Sequence, residues 1–255
     1  MRDPRPRAGS FCWVELAAAD SRVATRFYFD LFGWTARETS GASTTFRLGE
    51  QDAAGLTDRT EARAGRAADP RWRAYVSVAR VDATAEKAAA LGGSVLVEPY
   101  DGEGGRAAAV CDPQGAVLGL RESGAGTGLG VEGEIGSLCW AVLATTSVPT
   151  AKAFYGGLFG WTFKESAAGG GETEIAAFGR FIGGIAAVEK TRGPRPPAWE
   201  PYFRVADCDV TVAKAKAGGG RVLAGPSDIP NLGRDALLAD PEGAVFAVIS
   251  FETVA

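Results

Sequence analysis

The stretch FYFDLFGW (27–34) returns as FYGGLFGW (154–161), 127 residues further along a chain of 255. A repeated unit decides a fold before any single motif does, so the period is tested along the whole sequence. The same offset pairs SFCWVELAAAD (10–20) with SLCWAVLATTS (137–147), WRAYVSVARVD (72–82) with WEPYFRVADCD (199–209), and GGSVLVEP from Gly92 with GGRVLAGP from Gly219. It becomes 128 for DPQGAVLGL (112–120) and DPEGAVFAV (240–248), which marks one inserted residue in the second copy. The chain therefore divides into an N-terminal module (1–122), a linker of Gly-rich composition (123–136) and a C-terminal module (137–255).

Within each copy the apolar pattern changes period. Residues 11–16 alternate, as a strand does; Asp20 is placed as an N-cap, and Val23, Phe27 and Leu31 follow at helical spacing up to Gly33, a C-cap glycine. In the second copy Ser147 takes the cap position and Pro149 falls in the first turn, where its missing N–H is tolerated. Short strand-like runs follow at 44–48, around Gly55, and at 74–78, 95–97, 107–111 and 116–120, with a second helix predicted over 82–91. The fold class is α+β with an internal duplication.

Composition removes several functions. A net charge of −4 without a dense Lys/Arg face speaks against a nucleic-acid partner. No apolar run approaches the ~18 residues of a membrane span, and the basic start MRDPRPRAGS lacks the apolar stretch of a secretory signal, so a cytoplasmic protein without a membrane partner is expected. Cys12, Cys111, Cys139 and Cys208 form no CxxC pair and read as small core residues. There is no histidine, hence neither the commonest general base nor the commonest ligand for zinc or iron. The linker GAGTGLG lacks the spacing and the strand-to-helix context of a dinucleotide loop.

The ordered set of FY…LFGW helix end, W…Y…V…VD strand, GG-strand-P step and DPxG turn, present twice, resembles the vicinal oxygen chelate superfamily, which includes glyoxalases, bleomycin-resistance proteins and extradiol dioxygenases. The resemblance implies tandem βαβββ modules whose curled sheets form a ligand cup. It also implies metal ligands on the first strand, fourteen residues before the Phe of FY, and eight residues into the DPxG segment. Those positions hold Trp13 and Gly119 in the first copy and Trp140 and Ala247 in the second. None can coordinate a divalent cation, so no metal is expected. Glu15 is the nearest carboxylate, but its counterpart is Val142.

The resemblance points the old ligand positions into the cup, so Trp13 and Trp140 either line it together as aromatic walls for a flat guest or fill the vacated space as core. Glu15, a carboxylate in an otherwise apolar strand, is a candidate acid/base or ligand anchor, with a salt bridge as the other reading. Arg204, where the first copy has Ser77, could pair with Glu15, bind a carbonyl or carboxylate, or sit at an exposed strand end. Tyr75 and Tyr202 are equivalent and fit a scaffold as well as a hydrogen-bonding role. Tyr100 and Arg106 flank the DGEGG loop and join the candidates as rim residues, while Asp112 and Asp240 read as turn formers.

Two functional classes follow. One is a metal-independent tailoring enzyme of secondary metabolism that acts on a planar, polyketide-like substrate by acid-base cyclisation, dehydration or ketal formation, or reduces a ketone with NADPH. Glu15, Arg204 and Tyr202 would be its catalytic residues, and Trp13, Trp140, Tyr75, Tyr100 and Arg106 its substrate-binding residues. The other is a sequestering protein that binds an antibiotic without reaction, like the bleomycin-resistance relatives. The chain is expected as a monomer or homodimer.

Overall fold

A computed structural model describes residues 6–38, 43–58, 71–102, 104–122, 124, 128–166, 172–188 and 195–252; linker positions 123 and 125–127 lie outside the described residues. The first repeat runs β1 (Phe11–Ala18), α1 (Ser21–Phe32), β2 (Thr35–Glu38), β3 (Ser43–Leu48), β4 (Gln51–Asp58), then β5 (Arg71–Val78), α2 (Val81–Ala90), β6 (Ser94–Gly102), β7 (Gly105–Cys111) and β8 (Val117–Glu122). The second repeats this order as β9 (Leu138–Thr145), α3 (Val148–Phe159), β10 (Thr162–Glu165), β11 (Thr173–Ala177), β12 (Arg180–Ala187), β13 (Ala198–Arg204), α4 (Cys208–Ala217), β14 (Arg221–Ile229), β15 (Gly233–Ala239) and β16 (Val245–Phe251). Each repeat thus holds two βαβββ units, which join through β1 and β5, or β9 and β13, into one eight-stranded sheet.

The helices form where the sequence places their caps. The Asp20 side chain accepts from the Arg22 N–H at 2.9 Å, Ser147 Oγ from the Thr150 N–H at 3.4 Å, and Gly33 and Gly160 end their helices at φ 74° and 73°, the left-handed conformation that glycine adopts without strain. The buried stripe of α1 is Ala24, Phe27, Tyr28, Leu31 and Phe32; Val23, expected on it, is 40% exposed, because the stripe centres on Tyr28.

Tyr28 explains why the doubled motif exists. Its hydroxyl donates to Asp240 Oδ2 of the other repeat at 3.1 Å and accepts from Trp72 Nε1 at 2.9 Å. Tyr155 does the same with Asp112 (3.1 Å) and Trp199 (2.9 Å). The Trp that ends each motif also crosses: Trp34 Nε1 donates to Gly136 O at 2.7 Å and Trp161 Nε1 to Gly9 O at 2.8 Å. Asp112 and Asp240 still form their turns, accepting from the N–H groups of Gln114 and Ala116, and of Glu242 and Ala244. Around these bonds a continuous core joins Phe27, Phe32 and Trp34 of one repeat to Phe203 and Phe246 of the other. The described end of the linker is tied down as well, through Leu129 N to Cys12 O and Gly130 N to Asp52 O.

In β1 and β9 the residues facing this shared core are Val14 and Leu16, and Ala141 and Leu143. Strand alternation therefore turns Trp13 and Glu15, and Trp140 and Val142, to the opposite face of their own sheets. This corrects the sequence expectation that Trp13 and Trp140 line one cup together: each repeat forms its own eight-stranded sheet, and the face turned away from the shared core, the one the resemblance makes concave, is separate in each. No described helix is long and apolar enough to cross a membrane.

Candidate functional site

The four ligand positions implied by the resemblance fall in cross-strand rows. Trp13 pairs with Tyr75 and Tyr75 with Gly119 in the first sheet; Trp140 pairs with Tyr202 and Tyr202 with Ala247 in the second. The Tyr75 ring lies so close over Gly119 that a Cβ there would stand 2.2 Å from it, and the Trp13 indole covers Gly55 in the same way, at 2.9 Å. Two aromatic side chains thus fill the space beside the positions that the resemblance assigns to metal ligands. The donor set does not fit one either: among the described residues no three His, Cys, Asp or Glu side chains converge.

Trp13 is 8% exposed and Tyr75 2% exposed, so they are the floor of the first concave face rather than open walls. Above them stands half-buried Glu15. Its Oε1 accepts from Thr57 Oγ1 at 2.5 Å and its Oε2 from the Tyr75 hydroxyl at 2.8 Å. Register makes this arrangement, because Glu15 faces Gly55 on one side and Arg73 on the other, and Gly55 leaves room for the carboxylate. The Arg73 guanidinium also hydrogen-bonds Tyr75. Arg121 lies 5.1 Å from the ring centroids of both Trp13 and Tyr75, within cation–π range. Arg71 shares the same face of β5. Burial, and after it the Glu15 charge, push the Tyr75 phenol far above its ordinary value, so Tyr75 remains a donor that fixes the carboxylate. Tyr100 is near enough to bear on the ionisation of both Arg73 and Tyr75, so it belongs to this cluster.

The other candidates lie elsewhere. Arg204 does not reach Glu15: it is on the second sheet, where Nη1 donates to Gly133 O at 2.8 Å and the guanidinium sits 5.5 Å from the Phe251 ring centroid. Tyr202, half-buried beside Trp140, is on that sheet too, so neither residue can act with Glu15. Arg106 is not a free rim charge. It grips Asp82 with Nε at 2.5 Å and Nη2 at 2.6 Å, and Asp101 at 3.3 Å. Arg234 repeats this grip on Asp209 and Asp228, which marks a structural clamp between helix and hairpin.

The second concave face has a different chemistry. Glu200 stands where Arg73 does, Val142 where Glu15 does and Ile249 where Arg121 does. Glu200 pairs with Arg195 at 2.6 Å. The Trp140 indole donates to Glu172, whose carboxyl is raised to about 7 by burial and by the neighbouring charges of Asp235 and Glu174. Sequence reasoning missed Arg73, Arg121 and Thr57 in the first face and Glu172 and Glu200 in the second. The signal for Arg73 and Glu200 was present, since they differ inside otherwise matching blocks.

A model of the glyoxalase-like domain matches residues 13–120 and again 140–249. The chain is 36% identical over 251 residues to "Putative glyoxylase CFP32" of Mycobacterium tuberculosis (strain CDC 1551 / Oshkosh), covering 95% of both chains. It is 33% identical over 264 residues to "Anthracycline biosynthesis protein DauV" of Streptomyces sp. (strain C5), covering 94% of this chain and 93% of that one. Among solved structures it is similar in fold to the Mn(II)-bound glyoxalase from Novosphingobium aromaticivorans, with a TM-score of 0.65 and 16% identity, over 96% of this chain and 82% of that one. An extradiol ring-cleaving dioxygenase from B. fuscum gives a TM-score of 0.64 at 19% identity, over 98% of this chain and 74% of the other. With both repeats matched along almost their whole length, the chain belongs to the glyoxalase-like domain family of the vicinal oxygen chelate superfamily.

Proposed function

We propose that this protein is a metal-independent tailoring enzyme of secondary metabolism that takes a planar, polyketide-like aromatic molecule on the concave face of its N-terminal sheet and moves protons with Glu15. One observation carries the reading: a half-buried carboxylate is gripped by Thr57 and Tyr75, on the same face of the sheet as the Trp13–Tyr75–Gly119 row and two residues along β1 from it. With both oxygens fixed, Glu15 can take a proton from a carbon next to a ketone and return it to a hydroxyl that departs as water, the exchange required by cyclisation with dehydration; for ketal formation it would instead take the proton of the attacking hydroxyl and pass it to the carbonyl-derived hydroxyl that leaves as water. Tyr75 and Thr57 are positioning residues in this scheme. The similarity to a protein named for anthracycline biosynthesis supports the substrate class.

The test is turnover of an anthraquinone-type aglycone, followed by mass spectrometry with and without NADPH and after dialysis against a chelator. Glu15→Gln is expected to lose turnover by about 100-fold or more while still quenching tryptophan fluorescence on binding, and the wild-type activity should survive the chelator. Turnover that appears only with NADPH assigns the ketone-reducing variant instead. Binding of the aglycone without any product, by wild type and variant alike, assigns the sequestering role.

A further inference from the structure

The two concave faces share a backbone plan and carry opposite charge. Among the described residues around Glu15 on the first face the cations are Arg71, Arg73 and Arg121, and Glu15 itself is already held by two hydroxyl donors. The Nε of each of these arginines is buried and has no hydrogen-bond partner. Buried guanidinium donors ordinarily find acceptors; Arg73 lies within reach of the Glu15 charge and Arg121 over the Trp13 and Tyr75 rings. On the second face the described residues include Glu172, Glu174, Glu200 and Asp235; the cations are outnumbered there, Arg195 pairing with Glu200 through Nη2 while its Nε and Nη1 lack partners, and Arg204 donating to a backbone carbonyl. An anion is attracted by the first face and repelled by the second.

Resting on the function proposed above, we infer that the substrate is an organic anion, a flat ring system bearing a carboxylate or ionised ring hydroxyl, whose charged oxygens are received by Arg73 and Arg121. One molecule binds per chain, at the N-terminal face. Trp13 and Tyr75 form the apolar floor beneath it, and Arg121, already stacked on both rings, is oriented for the anion without further ordering.

Anthraquinone-2-carboxylate and its neutral carboxamide are the probes, titrated calorimetrically into the full chain. The carboxylate is expected to bind at one site and the carboxamide about tenfold or more weaker. Arg73→Gln and Arg121→Gln should each remove that preference, whereas Arg73→Lys, which keeps the charge, should retain part of it; Glu200→Gln, on the other face, should leave it intact. Equal binding of the two probes to a single site overturns the anion inference and leaves the tailoring function standing. Two equivalent carboxylate sites, or a preference that survives both glutamine variants, also overturn it. Failure of both probes to bind overturns the inference together with the function on which it rests.

Discussion

Glu172 shows what a single residue costs at this level of burial. Its carboxyl ionises at about 7 in the folded protein and at the ordinary 4.5 in the unfolded chain, because burial and the adjacent Asp235 and Glu174 disfavour its charge. Below 4.5 both states are protonated and the residue is neutral toward stability. As the pH rises from 4.5 to 7 the unfolded chain releases its proton while the folded protein retains it, so stability falls through that window and is level above it. Glu172→Gln keeps an acceptor for Trp140 and removes the penalty. Its stability advantage over wild type should be absent near pH 4.5 and grow to at most on the order of 3 kcal/mol by pH 8, as measured by urea denaturation at each pH. The thiols offer no comparable sensitivity: burial pushes Cys12 to about 12 and Cys139 to about 12, so neither is a nucleophile at neutral pH.

At the scale of elements, α1 and α3 were legible because cap, apolar stripe and terminal glycine agreed, and β1, β5 and β8 because apolar alternation was strong. The edge strands β2 and β10 were not. Each has only four residues, β2 is exposed along its whole length, and their pairing to β3 and β11 is a backbone event that leaves no apolar pattern. The site was partly legible for the same physical reason. Glu15 stood out as a charge in an apolar strand, whereas Arg73 and Arg121 lie in strands whose polar face looked like solvent-facing alternation. Arg106 misled because its partner Asp82 is distant in sequence and adjacent only once β7 packs on α2. The element-scale contacts that matter most are those of Tyr28 and Tyr155. Tyr28→Phe removes an acceptor from the Trp72 indole and a donor from Asp240, both buried, and should cost about 1–3 kcal/mol. Tyr155→Phe should cost a similar amount through Trp199 and Asp112, and chemical denaturation of the two variants and their combination would check both.

At the scale of the molecule, the hydrogen bonds that cross between repeats and the core they enclose leave neither repeat complete. The chain should unfold in one transition, seen at the same urea concentration by tryptophan fluorescence and by far-ultraviolet circular dichroism, and a fragment of residues 1–122 should show no cooperative transition of its own. Comparison of the copies also separates two kinds of position. At the seam the pairs are identical: Tyr28 and Tyr155, Trp34 and Trp161, Trp72 and Trp199, Asp112 and Asp240. On the concave faces they differ outright, as in Glu15 and Val142, Arg73 and Glu200, Arg121 and Ile249. The reciprocal clasp is thus a division of labour that duplication makes possible: each half is bound to keep the groove and tongue that its twin requires, and only the surface its twin never touches is free to acquire a trade of its own.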